Sequence, residues 1–102
     1  MSYRVHYTEG FTAQLDGQIG YLLGQQVAVR TIDRWYQRLL DEIDELSMMP
    51  RRYPIDDART AESGQETRKL SIGDYLIFYQ VDDADHQVNL IAFIHGARDR
   101  DG

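Results

Sequence analysis

The chain has 102 residues, of which 42% are hydrophobic and 27% are charged. This composition is typical of a folded protein, and this length is typical of one domain, so we expect a single domain over residues 1–102. The chain contains no cysteine, which excludes disulfides and thiolate nucleophiles and favours the cytoplasm. No apolar run approaches the roughly 20 residues that span a bilayer, so we expect no membrane segment. The formal net charge of −6 disfavours direct binding of nucleic acid, because the molecule as a whole repels phosphate.

The first predicted elements are a strand and a helix. Apolar and polar side chains alternate over residues 3–7, the period of two that is typical of a half-buried strand. Thr8 follows at the position of a helix N-cap, and Gly24 is a suitable C-terminal stop for the helix. The apolar residues of this helix lie on one face, at Phe11, Leu15, Ile19 and Leu22.

A continuous apolar stripe about five turns long predicts a second helix and is the strongest signal in the sequence. Its members are Val29, Ile32, Tyr36, Leu39, Ile43 and Leu46. Pro50 and Pro54 end the helix, and we interpret the following residues, through Gly64, as a turn and a polar loop. The first two helices therefore form a hairpin.

The last third of the chain predicts three strands joined by two hairpin turns. These strands are residues 67–72, 75–81 and 87–94. The middle strand is apolar on both faces, which places it at the centre of the sheet. We expect the stripe of the second helix to pack on Leu76, Phe78, Leu90 and Ala92. The order of elements is that of an α+β domain, with an N-terminal strand, a two-helix hairpin and an antiparallel three-stranded meander.

A basic stripe and one tryptophan form the candidate partner-binding surface. Arg30, Arg34 and Arg38 recur at every fourth residue and so lie along one side of the second helix. Trp35 lies beside them, and aromatic residues are enriched at interaction hot spots. The alternative is a solvated helix face with an ion pair such as Arg38 with Glu42, and with Trp35 in the core.

Four stretches in three segments carry a family resemblance over nearly the whole chain. They are YRVHYT (residues 3–8), LSMMP (46–50), and RKLSIGDYLIFYQV (68–81) followed by IAFIHGARD (91–99). In this order and spacing they resemble the RelE/ParE toxin superfamily, which includes the toxins of plasmid-stabilisation systems. The resemblance implies a toxin of a type II toxin–antitoxin system that arrests growth when it is freed from a cognate antitoxin.

The superfamily implies two mechanisms, which need different residues. RelE-like members cut messenger RNA on the ribosome without a metal, by attack of the ribose 2′-hydroxyl on the adjacent phosphate, which needs basic side chains with a general acid and base. Arg68, His95 and Arg98 match or lie near the segments that supply those groups. Their alternative is a structural role at the strand ends, with Arg68 or Arg98 paired to a carboxylate. ParE-like members bind DNA gyrase and stall it, and need no catalytic constellation.

The acidic composition and the absence of a tyrosine after Arg98 favour the ParE-like branch, so no catalytic residue is favoured. We expect a gyrase inhibitor that a cognate antitoxin neutralises, as a homodimer or as a hetero-oligomer with the antitoxin. The RelE-like ribonuclease is the alternative, and a degenerate, non-toxic member that still binds antitoxin is a third. His6 and His86 have no second ligand at metal-binding spacing, so we expect neither a metal nor a cofactor.

Overall fold

The computed structural model describes residues 2–96, which form three helices and four strands. In chain order these are β1 (Arg4–Tyr7), α1 (Glu9–Gly24), α2 (Val29–Glu45), α3 (Asp57–Ser63), β2 (Arg68–Ile72), β3 (Tyr75–Asp82) and β4 (Gln87–His95). The predicted α+β class is confirmed, including the N-terminal strand, the helical hairpin and the antiparallel meander.

The four strands form one sheet in the order β1-β4-β3-β2. The strands β2, β3 and β4 pair antiparallel, as predicted, whereas β1 lies parallel to β4 with Tyr7 opposite Leu90. Parallel neighbours need a long crossover connection, which the three helices and the other two strands supply. The sequence predicted β1 as a strand but not the partner with which it pairs.

Thr8 joins the end of β1 to the start of α1, as the predicted N-cap. Its hydroxyl donates a hydrogen bond to the Leu90 carbonyl oxygen (2.6 Å) and accepts one from the Phe11 N–H (3.3 Å). The same side chain therefore satisfies a free donor at the helix start and fixes that start against β4. The helix ends at Gly24, where the sequence predicted its stop.

Both long helices cover one face of the sheet. The side chains that α1, α2 and the residue after α2 contribute to the core cluster are Phe11, Leu15, Leu39, Ile43 and Leu46. From the strands they are Leu70, Ile77, Tyr79, Val88, Leu90 and Phe93. The helices thus contact β3 through Ile77 and Tyr79, so the prediction that Leu76, Phe78 and Ala92 face them is wrong. Alternation alone could not choose the face, because β3 is apolar on both sides.

The other face of the sheet is partly covered by α3, in the segment that the sequence predicted as a polar loop. The Arg59 guanidinium lies 4.2 Å from the centre of the Phe78 ring, which is fully buried. Asp56 caps this short helix by accepting a hydrogen bond from the Arg59 N–H (2.8 Å). A helix of about two turns gives too short an apolar period to be recognised in the sequence.

The end of the hairpin where α1 meets α2, which we call the hairpin tip (residues 21–29), extends away from the core. Val29 is 71% exposed, so its predicted burial is wrong. Tyr21 and Leu23 of α1 are also exposed, whereas Ile32, one turn further along α2, is buried. The apolar stripe of α2 therefore begins on the surface and enters the core only after its first turn.

Candidate partner-binding site

The three arginines of α2, which we call the basic ridge, are Arg30, Arg34 and Arg38. All three are exposed, and successive members lie one helical turn, or about 6 Å, apart along one side of the helix. Glu42, the carboxylate that the sequence offered as a partner for Arg38, accepts a hydrogen bond from the Tyr53 hydroxyl (3.1 Å). The ridge is thus a row of accessible guanidinium groups on a protein of net charge −6.

Trp35 lies between the basic ridge and the core and is half-buried. Its ring centre is 5.3 Å from that of Tyr75 and 6.1 Å from that of Phe93, and the latter two rings stack on each other. Tyr75 is held by α1, because its hydroxyl accepts a hydrogen bond from Gln18 Nε2 (2.7 Å). Trp35 therefore contributes to the core with one side of its ring and leaves part of its surface available to a partner.

A cavity of about 240 Å³, which we call the Trp35 slot, opens beside this ring. Its walls are Thr31, Arg34, Trp35, Arg38, Ile72 and Gly73. Ile72 is the last residue of β2, and Gly73 begins the turn between β2 and β3, where its φ of +56° favours glycine. The sequence identified the α2 side of the slot by its four-residue spacing. It could not identify the other wall, because only the tertiary fold brings that turn against α2.

Arg68, the first of the nuclease candidates, holds the chain segment that precedes α3. Its Nη1 donates hydrogen bonds to the carbonyl oxygens of Tyr53 (2.7 Å) and Arg51 (3.2 Å). Its Nη2 forms an ion pair with Glu66 at 2.9 Å, and the side chain is only 14% exposed. The guanidinium is therefore already engaged by backbone carbonyls and a carboxylate.

His95, the second nuclease candidate, lies at the other end of the sheet. It pairs with Tyr75 across β3 and β4, and the two ring centres are 5.3 Å apart. Arg68 pairs instead with Tyr79, four residues further along β3, which is a separation of about 13 Å. The structure does not bring Arg68 and His95 to one point, and Arg98 lies outside the described residues.

A comparison with known protein families identifies the family to which the chain belongs. The sequence profile described as "ParE toxin of type II toxin-antitoxin system, parDE" matches residues 5–100. The chain belongs to this toxin family. Among curated proteins, none matches the chain by sequence.

A solved structure similar to this ParE-family toxin comes from the toxin–antitoxin complex RelBE2 of Mycobacterium tuberculosis. The TM-score is 0.58 at 19% sequence identity, over 93% of this chain and 99% of that chain. At this identity the likeness shows the fold alone. The family match places the toxin in the RelE/ParE superfamily, and the fold of this solved structure is consistent with that placement.

The acidic turn between β3 and β4 of this ParE-family toxin is tied to the rest of the fold. Arg51 donates two hydrogen bonds to the Asp83 carboxylate (3.1 and 2.7 Å), and the Tyr3 hydroxyl donates a third (2.8 Å). These donors hold the pKa of Asp83 below its usual value of 3.8.

Within residues 2–96, no three His, Asp or Glu side chains are grouped closely enough to hold a metal ion.

In the part of the chain that the structure describes, no helix has both the length and the apolar character to cross a membrane.

Proposed function

We propose that this toxin inhibits DNA gyrase by binding it as a protein, and that a cognate antitoxin neutralises the toxin. The observation that carries the proposal is the match of residues 5–100 to the ParE toxins, whose mechanism needs a binding surface and no catalytic constellation. The basic ridge and Trp35 are the residues to which we assign binding of the antitoxin.

The placement of the nuclease candidates supports inhibition by binding over RNA cleavage. A RelE-type nuclease needs basic groups, a general acid and a general base around one phosphate. Arg68 is engaged by two carbonyl oxygens and Glu66, and His95 lies about 13 Å away along the sheet. A phosphate bound at either side chain would therefore not meet the other.

The apolar surface of the hairpin tip supports a protein partner. Tyr21, Leu23 and Val29 are 58%, 51% and 71% exposed, and a concentration of exposed large apolar side chains in one region favours an interaction site. The similar RelBE2 toxin was solved together with its antitoxin, which supports the antitoxin as one such partner. We therefore propose a toxin–antitoxin hetero-oligomer, and self-association of the toxin when it is purified alone.

The test is a DNA supercoiling assay with purified gyrase, the toxin, and the protein encoded by the adjacent reading frame. The wild-type toxin should inhibit supercoiling, and the neighbour-encoded protein should restore it. Arg30→Glu and Arg34→Glu should weaken that rescue at least tenfold. Arg4→Glu makes the same charge change on β1, at the opposite edge of the sheet from β2, and is the matched control.

The same toxin should leave ribosome-bound messenger RNA intact. Cleavage of that RNA, abolished by His95→Ala or Arg68→Ala, would overturn the proposal in favour of the RelE-like mechanism. A protein that binds its antitoxin but affects neither gyrase nor messenger RNA would instead be a non-toxic member of the family.

A further inference from the structure

A second cavity, of about 480 Å³, opens at the end of the sheet that is remote from the Trp35 slot, and we call it the strand-end cavity. It forms because β3 extends beyond β2. The first residue of β2, Arg68, pairs with Tyr79, and β3 continues for three further residues. Val81, which lines the cavity, lies about 20 Å along β3 from Tyr75, the residue that contacts Trp35.

The backbone of Val81 faces this cavity. Ile72 and Tyr75 close a two-residue turn, so their backbone groups bond to each other, and every second pair does the same as far as Arg68 with Tyr79. Val81 lies two residues beyond that last pair, so its N–H and C=O point to the side where β2 is missing. Within residues 2–96, no strand residue pairs with Val81 on that side. The cavity wall therefore offers one backbone donor and one backbone acceptor.

The side-chain amide of Gln80 adds a second acceptor to the same cavity. Its Nε2 donates to the hydroxyl of Thr67 (3.1 Å), and that hydroxyl donates to the Gln65 carbonyl oxygen (3.0 Å). Because the only proton of this buried hydroxyl goes to Gln65, Gln80 must present its nitrogen to it. The orientation of the Gln80 amide is thus fixed, and its Oε1 is left for an occupant.

The strand-end cavity also carries a negative charge that the toxin itself does not neutralise. Its charged residues are Arg51, Glu66, Asp82 and Asp83. Arg51 is paired with Asp83 at 2.7 Å, and Glu66 is paired with Arg68 at 2.9 Å. Asp82 accepts the Asp85 N–H at Oδ1 (3.1 Å), forms no ion pair within residues 2–96, and keeps Oδ2 for an occupant. The occupant should therefore be a cation.

The groups around the cavity suit a guanidinium better than other cations. No three His, Asp or Glu side chains of residues 2–96 are close enough together to hold a metal ion. A guanidinium has five N–H donors in one plane and no acceptor, which matches a site with oxygens from Gln80, Val81 and Asp82. Two of its donors can engage a carboxylate side by side while the others reach neighbouring oxygens. An ammonium group has only three donors and is more strongly hydrated.

The two binding surfaces of the toxin differ in charge and in position. The basic ridge attracts acidic groups beside the Trp35 slot, whereas the strand-end cavity attracts cations at the opposite end of the sheet. Surfaces of opposite charge favour different partners. The antitoxin is assigned to the ridge, so the cavity is available to the target. A protein surface would close the open side of the cavity and exclude water, which strengthens charge-assisted hydrogen bonds.

We infer that the strand-end cavity binds an arginine side chain of gyrase, and that the toxin contacts its target through this site. The inference rests on the proposed function for the identity of the target. It goes further in separating the target site from the antitoxin site and in naming the chemistry that the target site recognises.

Binding of purified gyrase to the immobilised toxin tests the site directly. Asp82→Asn removes the charge but keeps an oxygen that can accept the Asp85 N–H, so the turn is retained. This variant should bind gyrase at least tenfold more weakly than wild type. Its affinity for the neighbour-encoded antitoxin should change less than twofold, whereas Arg34→Glu should show the reverse pattern.

Asp85→Asn makes the same charge change in the same turn, outside the lining of the cavity, and is the matched control. It should change the affinity for either partner less than twofold. Equal weakening of gyrase binding by Asp82→Asn and Asp85→Asn would contradict the inference, as would full gyrase binding by Asp82→Asn.

A small probe tests recognition of the guanidinium without gyrase. The peptide acetyl-Gly-Arg-Gly-amide is titrated into the ¹⁵N-labelled toxin by NMR, and we expect shift changes concentrated in residues 65–66, 80–83 and 89. Peptides with citrulline, which has a similar shape and no charge, or with lysine in place of arginine should bind at least fivefold more weakly. Equal binding of the three peptides, or shifts outside these residues, would contradict the inference.

These results are separable from those of the supercoiling assay. A toxin that binds the arginine peptide in the cavity but neither binds nor inhibits gyrase would contradict the proposed function and leave the guanidinium site standing. A toxin that inhibits gyrase, but does so equally well as Asp82→Asn and shows no response to the peptide, would contradict the inference alone.

Discussion

The two ends of the helical hairpin carry the same amphipathic pattern, but the apolar side chains are buried at one end and exposed at the other. At the sheet end, Leu39, Ile43 and Leu46 are completely buried against the strands. At the hairpin tip, Val29 belongs to the same stripe of α2 and is 71% exposed. Periodicity therefore identifies which face of a helix is apolar, but not how far along the helix the opposing layer extends.

The boundary between these ends lies at the aromatic cluster of Trp35, Tyr75 and Phe93. On one side of it the apolar side chains of the helices are buried against the sheet, and on the other Tyr21, Leu23 and Val29 are exposed. Helices with few tertiary contacts are stabilised less, and binding elements are often drawn from such regions. The candidate binding site lies at this boundary, where a rigid core supports an accessible surface.

The largest expected effect contrasts the two ends of the α2 stripe directly. Leu39→Ala should lower the free energy of unfolding by about 2–5 kcal/mol, because it creates a cavity in the core. Val29→Ala, a truncation of the same stripe at the exposed end, should change it by less than about 0.5 kcal/mol. Urea unfolding of both variants measures the contrast, and equal losses would show that the tip is packed in solution.

The next effect concerns a polar group inside the sheet end. The buried Tyr79 hydroxyl donates to the Pro50 carbonyl oxygen (2.7 Å), so Tyr79→Phe should cost about 1–3 kcal/mol by leaving that oxygen without its donor. Burial raises the pKa of Tyr79 from 10.0 to about 12. The unfolded chain ionises first, so stability is full below pH 10 and falls as pH rises toward 12.

Urea midpoints measured from pH 8 to pH 12 check this alkaline loss. Tyr79→Phe should make it shallower without abolishing it, because burial also raises the pKa of Tyr7, Tyr53 and Tyr75. An unchanged slope in the variant would contradict the assignment.

A smaller effect of opposite sign is expected near the hairpin tip. Gly20 lies in the helical interior of α1, and a Cβ added there meets nothing within 4 Å. Gly20→Ala should therefore stabilise the toxin by about 0.5–1 kcal/mol through helix propensity. Gly64→Ala is the matched control and should destabilise, since Gly64 has a φ of +79°. Thermal unfolding of both variants measures these effects. A loss of stability for Gly20→Ala would indicate that the tip packs more closely than the structure shows.

The smallest effect concerns the exposed network that ties β1 to the β3–β4 turn. Since Arg51 and Tyr3 lower the pKa of Asp83 below 3.8, this carboxylate stabilises the fold above pH 4, and its contribution is lost as pH falls through the lowered pKa. Asp83→Asn should therefore be less stable than wild type at pH 6, and the difference should shrink as pH falls below 3.8. Asp85→Asn, in the same turn, is the control, and a constant difference for Asp83→Asn at all pH values would contradict this linkage.

Part of the candidate site was accessible to sequence reasoning. The spacing of Arg30, Arg34 and Arg38 placed them on one side of α2, and Trp35 was assigned beside them. The Trp35 slot was not accessible, because its other wall comes from Ile72, nearly forty residues away in the chain. The separation of Arg68 and His95 was also hidden, since it depends on strand register rather than on local pattern.

The sequence by itself determined the types and the order of all elements except α3, because capping at Thr8, the apolar period of α2 and the two-residue turn at Gly73 are local properties. Only the tertiary structure decided that β1 lies parallel to β4 and that Ile77 rather than Phe78 faces the helices. Both choices depend on contacts between distant segments, and a strand that is apolar on both faces gives no local reason to prefer one of them.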